Sequence, residues 1–251
     1  MPDYRQYWQD NIARWSELYL DISHGHEKLE APHWLGKLYN STIAKHEARL
    51  MRQRYELTAR FIDQNVNAGR VFADIGCGSG IFVVEALKRK ARVCAIDFSD
   101  QSLALTKANV ERYVPNGDVS YHKLDVSQDE LPRSDVGIMV GVAPYLSDMD
   151  SFLDRILTST DILLIQYVDP YHWANRVRRL LPFLNVRRLI FHSPRDVAFA
   201  YTQRGWRLLE RVPFGTGFID TVCRRDAAVG SPDRMQSSPP VKSPQPPEAE
   251  R

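Results

Sequence analysis

The sequence predicts an α/β protein: a doubly wound, mostly parallel seven-stranded sheet behind an N-terminal helical cap. Three observations lead there. Short apolar runs alternate with segments of helical period between residues 67 and 225. The first of those runs leads into glycines at every second position and then into a helix. The last two runs, Trp206 to Pro213 and Gly217 to Arg224, read as a closing antiparallel pair.

The stretch that organises the chain is Val71 to Gly80, V-F-A-D-I-G-C-G-S-G. Glycines at 76, 78 and 80 let the loop turn sharply and let its backbone approach a ligand without a Cβ in the way. The helical stretch Ile81 to Lys90 then offers free N–H groups and partial positive charge at its start. A dinucleotide fingerprint would put its third glycine at position 81, which is Ile81, and this disfavours a nicotinamide-dependent oxidoreductase. The observed pattern, Asp74-x-Gly76-x-Gly78-x-Gly80, resembles the first motif of class I S-adenosylmethionine-dependent methyltransferases. The resemblance implies the Rossmann-like methyltransferase fold, S-adenosyl-L-methionine as cosubstrate, and cofactor contacts from Asp74, Gly76, Cys77, Gly78 and Gly80.

Upstream of this loop, residues 3–22 read as an amphipathic helix, with Trp8, Ile12, Trp15, Tyr19 and Ile22 at helical spacing. A break at His24-Gly25-His26 precedes further helical sequence from Ala31-Pro32 through Leu57, Phe61 and Ile62. Residues 1–66 form the expected cap, which in the resembled family usually covers the active site.

Downstream, Arg92 to Asp97 is a second strand that ends in an acid, and Ser99-Asp100 caps a helix over Gln101 to Tyr113. Val119 to Leu124 is a third strand, followed by Asp125-Val126. Asp135 to Val140, D-V-G-I-M-V, reads by its composition as a strand buried on both faces, ending in Gly141-Val142-Ala143-Pro144-Tyr145-Leu146. By resemblance, Asp97 with Phe98 holds the ribose hydroxyls and Asp125 with Val126 takes the adenine. Gly141 then lines the site of methyl transfer, with Tyr145 pointing to the acceptor or packing beneath the cap. Helix Asp148 to Leu157, strand Asp161 to Val168, helix Pro170 to Leu181 and a helix from Pro194 to Arg204 complete the alternation. Ligands of such sheets bind beyond the C-terminal strand ends, and Asp74 to Gly80, Asp97, Asp125 and Gly141 all fall there.

Composition narrows the partners. The 251 residues are 43% apolar and carry a formal net charge of +2, which gives no global attraction to nucleic acid. Cys77, Cys94 and Cys223 are far apart and make neither a disulfide framework nor a zinc site, and no metal-binding cluster stands out. A reducing, cytoplasmic setting is expected, since M-P-D-Y-R-Q lacks a signal-peptide pattern and no run reaches membrane-span length. Residues 226–251 hold six prolines and four serines and read as a disordered tail.

The acceptor side is expected near residues 170–195, which hold six arginines, His172 and His192, and no acid. Val177, Leu180, Leu181 and Leu184 make an apolar stripe at helical spacing. Such a segment fits an anionic, partly hydrophobic small-molecule acceptor, an acidic membrane surface, or a solvated basic face over a core-packing stripe. Tyr167 to Val222, with the Trp15-Ser16-Glu17-Leu18-Tyr19 segment, is loosely similar to magnesium-protoporphyrin O-methyltransferases. That similarity implies a carboxylate or hydroxyl acceptor; a hydroxyl needs a general base, and His172 is the candidate. Three alternatives stand beside this: transfer to a nitrogen, methylation of RNA, or an inactive cofactor-binding scaffold. The absence of an N/D-P-P-Y/F sequence after the fourth strand argues against base-methylating enzymes.

Overall fold

The computed structural model describes residues 34–180 and 189–225, with the backbone alone over 34–48 and at 178. The expected helix over residues 3–22, the sequence 181–188 and the tail from 226 lie outside the described residues. Among the described residues the first element is a 32-residue helix α1 (Trp34–Asn65), followed by β1 (Val71–Ile75), α2 (Ile81–Lys88), β2 (Arg92–Asp97) and α3 (Asp100–Tyr113). The chain continues with β3 (Val119–Lys123), β4 (Val136–Met139), a 3₁₀ turn (Ala143–Tyr145), α4 (Met149–Ser159), β5 (Ile162–Val168) and α5 (Trp173–Leu180). It closes with α6 (Pro194–Gln203), β6 (Trp206–Phe214) and β7 (Gly217–Arg224).

The seven strands run in the order β3-β2-β1-β4-β5-β7-β6. The first five are parallel; β7 is antiparallel to both β5 and β6. This is the doubly wound sheet that the alternation predicts, closed by the antiparallel pair expected from the last two runs. The order reverses between β1 and β4, so a crevice opens at the C-terminal ends of those two strands.

Strand burial follows position in the sheet. The central β4 and β5 are buried along their whole length, as parallel strands covered on both faces must be. Alternate residues feed two separate cores: Phe72, Val93, Ile138 and Leu164 join Phe61 and Ile62 of α1 and Val83 and Leu87 of α2. Ala73, Ile96, Met139 and Ile165 face Leu153 and Ile156 of α4 and Tyr201 of α6. By this parity Asp74 and Asp97 lie on the α1–α2 side of the sheet. Pro213 sits in β6, an edge strand, where its missing N–H costs no ladder bond.

Element ends differ from the sequence expectation by a few residues, each for a local reason. Helix α2 stops at Lys88 because the Arg89 and Lys90 N–H groups bond tightly back to Ala86 and Leu87, and Lys90 turns to φ 60°. Helix α5 begins at Trp173, not Pro170, because the Asp169 carboxylate takes the Tyr171 N–H and holds a turn first. Strand β4 ends at Met139, before Gly141 leaves extended geometry at φ 79°.

One buried polar network has no sequence signal. Asp220 of β7 is fully buried and receives both Nε and Nη2 of Arg211 at 2.7 Å, a bidentate pair, while Arg211 Nη1 donates to the Pro194 carbonyl at 2.8 Å. The guanidinium also lies 4.4 Å from the Phe218 ring centroid. Beside it the buried hydroxyls of Tyr167 and Tyr201 share a 2.8 Å hydrogen bond, which ties β5 to α6. Arg211→Ala strands the Asp220 carboxylate in this interior and is expected to destabilise the fold by about 3 kcal/mol. Asp220→Asn keeps a hydrogen-bonding partner and is expected to cost less. Urea unfolding of the two variants checks the ranking.

Candidate functional site

The glycine loop is built as the residue types demand. Gly76, Gly78 and Gly80 all have positive φ, at 80°, 56° and 76°. A Cβ on Gly80 would lie 2.5 Å from Thr106 Cγ2, and one on Gly76 would overlap the side chain of Val142. The loop therefore needs glycine twice over, for backbone conformation and for close approach. Its N–H groups at 76 and 77 bond to the Ile96 carbonyl at 2.8 and 3.0 Å, so the loop is stitched to the end of β2.

Asp97 completes that stitch. It is buried, and its Oδ2 accepts from the Gly78 N–H at 3.0 Å while Oδ1 accepts from the Ser99 N–H at 2.9 Å. Burial pushes its pKa up, and the backbone N–H bonds from Ser99 and Gly78 oppose that shift. Each carboxylate oxygen has a further lone pair, so acceptor capacity remains.

Helix α3 supports the loop from the other side. Thr106 Oγ1 donates to the Gly78 carbonyl at 3.1 Å and Asn109 Nδ2 to the Ser79 carbonyl at 2.8 Å. Cys77 is buried with its Sγ 3.4 Å from Thr106 Oγ1. Burial pushes its thiol well above the ordinary range. Sequence reading did not single out Thr106 or Asn109. Their only signal was a fixed helical spacing of three on a helix that follows an acid-ended strand.

Asp74 differs from its neighbours. It is buried on the face shared with Asp97, and its Oδ2 makes no hydrogen bond. Desolvation and then the Asp97 charge push its pKa up to about 8. A buried carboxyl atom without a partner is a costly arrangement, and it occurs here at the foot of a glycine loop.

The remaining candidates fall at other strand ends. Phe98 is half-buried beside Asp97. Asp125 closes a turn after β3: its Oδ1 takes both the Ser127 N–H at 2.9 Å and the Ser127 hydroxyl at 2.6 Å. Val126 packs into the α4-side core. Gly141 and Val142 follow β4, and Val142 against Gly76 brings the β4 loop onto the β1 loop. A Cβ on Gly141 would come 3.8 Å from Arg54 Nη1, so α1 delivers a guanidinium to this edge; that group also stands 5.4 Å from the Phe214 ring centroid.

Tyr145 is half-buried in the 3₁₀ turn. That turn is pinned from behind by His192, buried with Nε2 3.2 Å from the Ala143 carbonyl, and by the Ile190 N–H on the Pro144 carbonyl at 2.7 Å. Burial lowers the His192 pKa, and its hydrogen bond to the Ala143 backbone opposes that shift. The other histidine, His172, is half-buried at the start of α5, where its Nδ1 receives the Ala174 N–H at 3.3 Å. A core-packing role for the apolar stripe is corrected by exposure: Val177 and Leu180 face outward, while Leu181 and Leu184 lie outside the described residues. Among the described residues no group of His, Cys, Asp and Glu is arranged to hold a metal ion, and no helix is long and apolar enough to cross a membrane.

The raised Asp74 pKa has a definite pH signature. With its folded pKa raised from 3.8 to about 8, this group's own contribution to stability is fully present below about pH 3.8 and is lost as pH rises toward about 8. The slope contributed by this one group is at most about 1.4 kcal/mol per pH unit. Asp74→Asn is expected to flatten that slope; denaturant midpoints across pH 5 to 8 measure it.

Comparison with known proteins agrees with this geometry. Residues 73–160 match a protein family described as "Methyltransferase domain". Ribosomal protein L11 methyltransferase of Thermotoga maritima is 24% identical over 152 residues, covering 60% of this chain and 49% of that protein. The chain thus spans about half the length of such curated relatives. A probable cobalt-precorrin-6B C(15)-methyltransferase of Methanocaldococcus jannaschii is 43% identical over 49 residues, covering 20% of this chain and 27% of that protein. Among solved structures, magnesium protoporphyrin IX methyltransferase of Synechocystis with bound SAH superposes with TM-score 0.67 at 15% identity, over 88% of this chain and 100% of that one. The N-methyltransferase NodS of Bradyrhizobium japonicum superposes with TM-score 0.56 at 16% identity, over 71% of this chain and 88% of that one. The glycine loop and the acid-ended second strand lie within the span that matches the methyltransferase domain, and the strand order belongs to a fold shared with these methyltransferase structures.

Proposed function

We propose that this protein transfers a methyl group from S-adenosylmethionine to a hydroxyl or carboxylate oxygen of a small anionic or aromatic metabolite. The observation that carries the cofactor half is the Asp97 carboxylate bonded to the Gly78 N–H, which sets an acid and a bare backbone side by side at the sheet crevice. The residues fit such a group. Asp74 has a buried oxygen without a partner, which an ammonium would satisfy. Asp97 keeps lone pairs for two ribose hydroxyls, and the loop leaves no Cβ in the way.

Bound S-adenosylmethionine supplies an electrophilic methyl carbon on a positively charged sulfur. The protein's contribution is to hold the acceptor oxygen in line and exclude water, which is worth several orders of magnitude in rate. A carboxylate acceptor is already ionised at neutral pH and needs no base. Arg54, next to Gly141, is the group we assign to orient it, since a guanidinium binds a carboxylate through two parallel N–H donors. For a hydroxyl acceptor His172 is the base we assign; its Nδ1, which accepts the Ala174 N–H, is the nitrogen with the lone pair in that tautomer and exchanges this bond for the acceptor's proton. Tyr145, in the turn after Gly141, would line the acceptor.

A protein acceptor is the second reading, favoured by the L11 methyltransferase relatives. Two measurements separate the cases. Calorimetric titration with S-adenosylhomocysteine is expected to give micromolar binding, and Asp97→Ala to weaken it by about 1–3 kcal/mol. Undiminished affinity in that variant would sink the role given to Asp97. Arg54→Ala is expected to leave this binding within about twofold yet raise KM at least about tenfold for a carboxylate acceptor, the loss of roughly one charge-assisted hydrogen bond. Labelled methyl transfer to peptides alone, with none to small carboxylates or phenols, would favour the protein reading.

A further inference from the structure

Helix α5 carries its apolar side chains on the side away from the core. At about 100° per residue, Trp173, Val177 and Leu180 fall within about 60° of one another, on the pole opposite Asn175. Asn175 is the anchor: it is fully buried, and its Nδ2 donates to the Asp169 and Thr216 carbonyls, both at 2.7 Å. The opposite pole is open, with Trp173 73% and Leu180 80% exposed and Tyr171 just ahead of the helix at 59%. Arg176 and Arg179 are exposed on the flank between that pole and the anchor.

Charge decides what covers this face. Residues 170–195 contain six arginines and no acid. Two copies meeting through it would bring like charges together, which opposes a self-complementary contact. An apolar pole of Trp and Leu, a Tyr at its edge and arginines along its flank make the pattern of a helix lying in a bilayer interface. There the aromatic and aliphatic groups enter the headgroup boundary and the guanidiniums reach lipid phosphates. We propose that α5 docks this protein on an anionic lipid surface, through Tyr171, Trp173, Val177 and Leu180 with Arg176 and Arg179. Because α5 follows directly on β5, the docked face adjoins the C-terminal edge of the sheet, where the candidate site lies.

Co-sedimentation of the full chain with vesicles tests this. Binding is expected with phosphatidylcholine–phosphatidylglycerol vesicles and not with phosphatidylcholine alone, and it should weaken as salt rises. Trp173→Ala/Leu180→Ala and Arg176→Gln/Arg179→Gln are each expected to weaken partitioning on the order of tenfold, with unchanged thermal midpoints because all four side chains are exposed. No sedimentation, equal binding to both vesicle types, or double variants that bind like the parent would each overturn the proposal. A lipid-free dimer seen by light scattering, and lost in Trp173→Ala/Leu180→Ala, would overturn it in favour of a second copy. None of these readouts depends on the methyl-transfer reading.

Discussion

A single carboxylate joins three elements. Asp97 ends β2, receives the N–H of Ser99 at the start of α3, and receives the N–H of Gly78 in the loop after β1. Burying a carboxylate costs several kcal/mol unless its lone pairs are taken, and here backbone donors take them. The return is geometric. A loop whose glycines all sit at positive φ has little conformational preference of its own, and Asp97 with the Ile96 carbonyl fixes where it runs. Thr106 and Asn109 then hold its carbonyls from α3, so the loop is bonded from both sides.

The buried acids show the contrast between structure and site. Asp220 is buried completely and fully answered by Arg211, as a group that serves only the fold must be. Asp74 is buried nearly as deeply, and one of its oxygens is answered by nothing among the described residues. The first arrangement knits β6, β7 and the start of α6. The second is kept protonated by burial at the sheet crevice, and a cationic ligand group beside it would favour its ionised form.

The face proposed for the acceptor draws on more distant parts. The β4 loop meets the β1 loop through Val142 against Gly76, α1 supplies Arg54, and His192 arrives from beyond α5 to hold the Ala143 carbonyl. Its relatives are named for acceptors as different as ribosomal protein L11 and cobalt-precorrin-6B. Such variety is natural where the cofactor half sits on a few strand ends and the acceptor half is built from separate insertions.

The sequence by itself determined the order of elements, the sheet type and the glycine loop. Hydrophobic period and glycine conformation are local properties, legible over a window of ten residues. It also located Asp74 and Asp97, because an acid at the end of a short apolar strand is a local pattern. The tertiary structure alone decided what those acids meet. Which carboxylate finds backbone donors and which is left without depends on contacts between elements far apart in the chain, such as Gly78 with Asp97 and Arg211 with Asp220. The stripe on α5 shows the same limit. Its helical spacing was plain in the sequence, but period says only that a helix has an apolar face. The burial of Asn175 on the opposite side is what turned that face outward.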